Sequence, residues 1–305
     1  MLKNILSLLL FIVCLSFAAT GQQVWAVKLQ KDYSKSYPVG NETVALLNRY
    51  GQMTIETWDK NEVKVEAKIS ASAQTNESAA RMLERISIND QKTTDRIEFK
   101  TELASWSDDT GGHELHIDWT VHVPANAKLQ AENHFGELTI GDYRGEASLL
   151  CKYGTLTTGK LSNCREIVSE FGKAVIESVN DSKLLFRYSK VDISRLSGNI
   201  QAEMQFCNSV DLQLDNTLKQ FDLKNSYTSV FFLVPKDFSA DYDISTNNAR
   251  VSSKNDIPIR EEVKEDANAV RHVSFVSNHH YVGSLGKGGG TKLTIKSNFG
   301  NIRFL

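Results

Sequence analysis

The sequence predicts an all-β fold: a single-stranded parallel β-solenoid, or right-handed β-helix, with 17–21-residue rungs, plus a small mainly antiparallel β cap carrying one short helix. Three observations predict it. One short phrase recurs at 131–197, as AENHFGELTIGDY, LLCKYGTLTTGKL, IVSEFGKAVIESV and LLFRYSKVDISRL. Its aromatic residues Phe135, Tyr153, Phe171 and Tyr188 are spaced by 18, 18 and 17 residues, the short fixed period of a repeat architecture. The apolar residues around each aromatic alternate with polar ones, the period of a strand with one buried face.

Taking the aromatic as position zero, position −4 reads Ala131, Leu149, Ile167, Leu184 and Ala202. Position +3 reads Leu138, Leu156, Ala174 and Val191, and +5 reads Ile140, Thr158, Ile176 and Ile193. Tyr143, Leu161, Val179 and Leu196 stand at +8, whereas position −1 is polar in every copy. Strand side chains alternate faces, so −4, −2 and 0 are expected to point inward together, as are +3 and +5. The two sets differ by an odd number of steps. A flip in parity is therefore expected at Gly136, Gly154 and Gly172, where a corner needs conformations that other residues avoid.

The remaining chain is placed around these copies. Residues 1–21 read as a signal peptide: Lys3 is followed by the apolar run Ile5–Phe17 and by the small residues Ala18–Gly21, with cleavage between Ala18 and Ala26. The apolar run is short of the roughly 20 residues a spanning helix needs, so no transmembrane segment is expected after cleavage. Val13 before Cys14 is bulkier than lipoprotein processing prefers. Residues 22–43, broken by Pro38 and Gly40, read as a poorly specified lead-in.

Residues 44–126 hold a first rung, with Tyr50 and Gly51 in the key places, and the inserted cap. Strands alternate through 63–71, 96–103 and 115–123, and the helix 77–86 follows Asn76 as its N-cap. Ser105–Gly112 reads as a hairpin loop. The solenoid then occupies 127–305, with Phe206, Tyr227 and Asn248 in degraded rungs and an irregular insertion at 254–290. That insertion includes the charged run REEVKED and a possible strand at 271–276. The phrase LTIKSNFGNIRFL, with Phe299 at zero, closes the chain and leaves no room for a later barrel or sorting domain.

Composition excludes some partners. Removing residues 1–21 takes away Lys3 and no acid, so 35 basic and 37 acidic residues become 34 and 37, a net of −3. With no basic run, nucleic acid is not an expected partner, and nothing pulls the chain to an anionic membrane. Cys151, Cys164 and Cys207 are an odd set at irregular spacing and are expected to be free.

No residue is assigned as catalytic, cofactor-binding or metal-binding. The glycine-rich GSLGKGGGT (283–291) lacks the Lys-Ser/Thr ending of a phosphate loop and is followed by a strand pattern instead of a helix. His116, Asp118 and His122 share one strand face, but the two histidines stand about 20 Å apart along it and cannot hold one ion. His113 lies just before that strand, and His279 and His280 are adjacent in what reads as a loop. Lys152, Glu170 and Arg187 read as a charge ladder between rungs. Asp192 and Asp211 fall in nearly equivalent outward places and are the one candidate carboxylate pair, with the extra residue near Asn208 shifting their alignment.

The phrase aromatic-Gly-x-hydrophobic-x-Ile, preceded by WTVHVPANAKLQAEN and repeated to a final SNFGNIRF, resembles the putative-adhesin family of exported Bacteroidetes-type β-solenoids, a domain of unknown function. NRYGQMTIETWDKNEVKVEAKI resembles the opening of that family. The resemblance implies a non-enzymatic envelope or secreted protein, located in the periplasm, on the outer membrane or outside the cell, whose partner is a surface protein or glycan. Two other functions stay open: a carbohydrate-active lyase or hydrolase on the same scaffold, and a regulatory partner in envelope stress.

Overall fold

The computed structural model describes residues 26–104, 114–254, 257, 259–262 and 278–305. The signal peptide, the Ser105–Gly112 loop, His113, the 271–276 strand and most of the REEVKED run lie outside the described residues. The described chain is all-β with one helix, and its strands join one hydrogen-bonded sheet that curls nearly to closure.

The repeat copies pair in parallel at the predicted offsets. Leu149 lies beside Ala131 on one side and Ile167 on the other, and Ile167 lies beside Leu184. Leu156 is flanked by Leu138 and Ala174 in the same way. The 173–187, 190–205 and 209–226 strands run through two successive half-rungs each. Positions −4, −2, +3 and +8 are buried in the central copies, as at Leu184, Phe186, Val191 and Leu196, each 0% exposed. They form one continuous apolar core.

The N-terminal segment departs from expectation. Residues 27–38 form a regular strand antiparallel to Glu62–Ala73, with Tyr33 and Tyr37 both donating hydrogen bonds to Asp90. Pro38 ends this strand without disrupting it, since an edge position needs no further amide donor. The helix spans Asn76–Glu84, not 77–86, and its N-cap is Thr75, whose hydroxyl accepts from the Ser78 amide. Ile86 already belongs to the next strand. Within the cap, pairing is mixed: Arg96–Leu103 runs parallel to Thr43–Arg49, and Glu114–Pro124 runs parallel to Met53–Trp58. These two strands therefore continue the stack past the first rung, and the antiparallel strands 27–38, 62–73 and 86–92 close over them.

The C-terminal phrase also sits differently from its order in the chain. Thr291–Asn298 inserts between the 209–226 and 240–247 strands, parallel to both. Ile302 pairs with Val230 and with Val251. The last segment is thus next to last in the stack, and Asn278–Leu285 covers the end as an antiparallel strand. His279 and His280 lie on that strand, not in a loop.

Candidate functional site: an exposed aromatic ladder

Position zero is where the structure overturns the sequence reading. The aromatics do not point inward. Tyr50, Phe135, Tyr153, Phe171, Tyr188, Phe206, Tyr227 and Phe299 are between 38% and 52% exposed. All eight have φ between +50° and +61°, and Asn248 in the same place has φ +49°. The left-handed backbone turns each side chain outward, so positions −1 and 0 both face solvent and position +1 faces the core. The parity flip is real, but the aromatic makes it and the glycine does not.

Glycine follows for a different reason. A Cβ on Gly136 would stand 2.1 Å from the Gly51 carbonyl oxygen, and one on Gly154 or Gly172 would stand 1.9 Å from the carbonyl oxygen of the preceding glycine. Backbone stacks directly on backbone there. Further along, Ser189, Cys207 and Thr228 take the same place with buried side chains. Ser189 donates to the carbonyls of Ser169 and Arg187. Beneath other turns, Asn133 donates to the Gly51 and Glu137 carbonyls and Asn225 to the Thr228 carbonyl.

Each ladder amide donates to the neighbouring rung: Phe135 to Lys152, Tyr153 to Glu170, Phe171 to Arg187, and so on to Phe299, which donates to Asn247. These bonds, all 2.9–3.0 Å, hold the turns in line. The rings consequently stack in one row, with centroids 4.8–5.1 Å apart and planes within 7°. Eight rings at the spacing of β-strands make a ridge roughly 34 Å long. In stack order they read Tyr50, Phe135, Tyr153, Phe171, Tyr188, Phe206, Tyr227, Phe299, strictly alternating.

Stability alone does not explain this row. A left-handed non-glycine residue costs roughly 1–2 kcal/mol, and an aromatic stack returns about 0.5–1.5 kcal/mol. The two nearly cancel. Asparagine takes the conformation at less cost, as Asn248 does at the end of the stack. Strained and exposed aromatics at eight successive turns are therefore a surface that the fold maintains, of the kind found where function requires it.

Polar rows flank the ridge. At position −1, burial pushes the Glu170 carboxyl up, but the hydrogen bonds and charges of Lys152 and Arg187 outweigh it and hold it below its usual range. Both partners stand 3.0 Å away, forming the expected charge ladder. Burial pushes the His134 imidazole below its ordinary value against the pull of Glu132.

The other candidates separate or stay apart. Asp192 and Asp211 are direct neighbours on adjacent strands, because the extra residue is absorbed before Ser209 and does not shift them. Ser209 donates to Asp211. Neither carboxylate lines the groove of about 390 Å³ between Lys183, Leu185, Glu203 and Lys296. His116 pairs with Glu114, while His122 stacks on Trp58 and faces Glu56 and Glu66. Asp118 accepts the Gln52 amide. His279 faces Glu261, and His280 lies between Glu262 and Asp243, whose hydrogen bonds raise its pKa, Asp243 contributing most. Among the described residues no cluster of three such groups could hold a metal, and no helix is long and apolar enough to cross a membrane. The glycine-rich segment is a turn at 286–290 leading into a strand, and Gly289 donates to Asp241.

The three cysteines are free and buried. Burial pushes the Cys151 and Cys164 thiols up to about 12 and raises Cys207 as well. Native protein is expected to leave all three unmodified by a thiol reagent at neutral pH, with three equivalents reacting on unfolding. Rapid modification of the native chain would contradict their placement.

No family model matches the chain, and no curated protein matches it. Several solved structures are similar to it. One described as a putative adhesin from Bacteroides fragilis has 10% identity and a TM-score of 0.33, covering 90% of this chain and 97% of that one. A putative adhesin from Parabacteroides merdae has 8% identity and a TM-score of 0.29, covering 90% and 96%. A putative cell adhesion protein from Clostridium sporogenes has 12% identity and a TM-score of 0.23, covering 90% and 99%. Likenesses this weak carry no functional argument, which rests on the chain's own surface.

Proposed function

We propose that this chain is an exported, non-enzymatic β-solenoid of the cell envelope, adhesin-like, whose aromatic ladder is its binding face. The observation that carries this reading is the row of eight exposed rings held at left-handed backbone positions. A typical soluble monomer keeps its largest apolar patch to about 300–600 Å², and larger ones mark interaction surfaces. At about 200 Å² per ring and close to half exposed, the ladder presents roughly 700 Å². The export pattern at residues 1–21 supports placement outside the cytoplasm, and the parallel rungs of 17–19 residues support a solenoid.

A protein partner fits better than a glycan. Sugars stack on the faces of aromatic rings, and each inner ring here has both faces covered by its neighbours. What remains is a ridge of ring edges. The enzyme reading rests on Asp192 and Asp211, adjacent but outside a groove; glycan cleavage lost on Asp192→Ala would favour it.

The direct test is binding of the purified chain to the envelope fraction of its host. Replacing Tyr153, Phe171 and Tyr188 with Asn removes three central rings at positions where Asn248 shows the backbone is acceptable. At least tenfold weaker binding with an unchanged melting curve is expected. Equal binding by this variant would remove the ladder from the function.

A further inference from the structure

We infer that the partner of the ladder is the ladder of a second copy of this chain, packed antiparallel about a two-fold axis. This rests on the ladder being the binding face and names its occupant.

Three properties of the row point to this occupant. The first is its pitch. The rings repeat every 4.8–5.1 Å over eight turns, and a partner can follow that repeat only if it is itself a stack of β-strands, spaced 4.7–4.9 Å apart. An irregular protein surface would meet one or two rings. A second copy has the same pitch and the same twist throughout.

The second is the alternation. A two-fold axis makes an isologous contact, in which a position and its counterpart exchange roles between the copies. In an antiparallel pairing of eight rungs the first faces the eighth and the fourth faces the fifth. Since the row alternates and its number is even, every Tyr then faces a Phe, Tyr50 opposite Phe299 and Phe171 opposite Tyr188. Parallel pairing would set each hydroxyl against another. The same axis brings Glu170, in the fourth rung, beside Arg187 of the fifth, charges of opposite sign on the flanking row.

The third is area. Roughly 700 Å² of exposed ring surface per copy is close to the roughly 800 Å² that each partner contributes to a standard interface. The ladder is large enough without recruiting other surfaces.

Sedimentation velocity on the chain recovered from expression of the full sequence tests this. A dimer with a micromolar dissociation constant is expected. The Tyr153→Asn, Phe171→Asn, Tyr188→Asn variant is expected to be monomeric while keeping its circular dichroism and melting transition. If the triple variant does not fold, Phe171→Asn alone is expected to weaken dimerisation at least tenfold. Register is read by disulfide trapping, with the buried native cysteines silent: Gln52→Cys is expected to cross-link to Asn301→Cys in a mixture, and neither variant to itself.

A chain that stays monomeric at tens of micromolar would overturn the inference, as would a dimer surviving in the folded triple variant, or Gln52→Cys linking to itself. Binding of a glycan array or of phosphatidylcholine vesicles by a monomeric chain would also overturn it. A monomer that still needs its ladder to bind envelope material would sink self-pairing alone and leave the proposed function standing.

Discussion

Gly154→Ala is expected to destabilise the chain by more than about 3 kcal/mol, enough to prevent folding in a marginal background. The new Cβ would lie 1.9 Å from the Gly136 carbonyl oxygen, and the Gly172 Cβ position lies 1.9 Å from the Gly154 oxygen in turn. No rotamer relieves a clash between a Cβ and a backbone atom, so rungs must separate. Separation breaks the amide bonds that run along the ladder, from Phe135 to Lys152 and from Tyr153 to Glu170. Ser189→Ala, at the equivalent place, is the control. A Cβ is already accommodated there, and the mutation removes only hydroxyl bonds to Ser169 and Arg187, worth roughly 0.5–1.5 kcal/mol each. Chemical denaturation of both variants measures the difference; equal losses would show that close backbone approach is not why glycine stands at 154.

Much of the architecture was legible because burial is periodic. The columns led by Ala131, Leu138 and Tyr143 are core, and the parallel offsets of 17 and 18 residues are those of the pairing. The aromatic column was misread because a residue that is apolar in every copy reads as core, and periodicity does not report the sign of φ. Two signals pointed the other way. Asn248 in the column is the residue type that accepts a left-handed backbone, and Ser189, Cys207 and Thr228 in the following column are small residues that fit inside a core. Read together, they place the outward turn at zero and the inward side chain at +1.

Other misses come from pairing beyond the reach of local pattern. Nothing in VKLQKDYSKSYP announces a partner 35 residues away, yet Tyr33 and Tyr37 pair with Ala67 and Val63. Likewise the period alone does not say that Thr291–Asn298 slides between two earlier rungs, which is a choice among equivalent edges made by tertiary contacts. The ladder as a site was hidden with its orientation. Once the rings face outward, the same four-fold phrase that specifies the stack also specifies the surface.

Phe186→Ala and Phe171→Ala are expected to separate the inside of the stack from the outside. Phe186 stands at position −2 of its rung and is 0% exposed, in a column otherwise filled by Cys151, Ser169, Met204 and Asn225. It is the bulkiest residue in that column and sits against the Cys207 thiol, which bonds its carbonyl. Truncation leaves a cavity walled by two rigid rungs, and about 3–5 kcal/mol is expected to be lost. Phe171, 15 residues earlier in a similar apolar phrase, is 45% exposed and touches only its ladder neighbours, Tyr153 and Tyr188, at 4.9 Å each. Its truncation gives up two stacks of about 0.5–1.5 kcal/mol each and leaves the backbone strain in place, so about 1–3 kcal/mol is expected. Phe171→Asn should recover part of that loss, since Asn accepts the backbone conformation more readily. Melting midpoints in the order wild type, Phe171→Asn, Phe171→Ala, Phe186→Ala would follow from the outward ladder. A Phe171→Ala loss as large as that of Phe186→Ala would mean the ring is packed, and an aromatic surface would then have no basis.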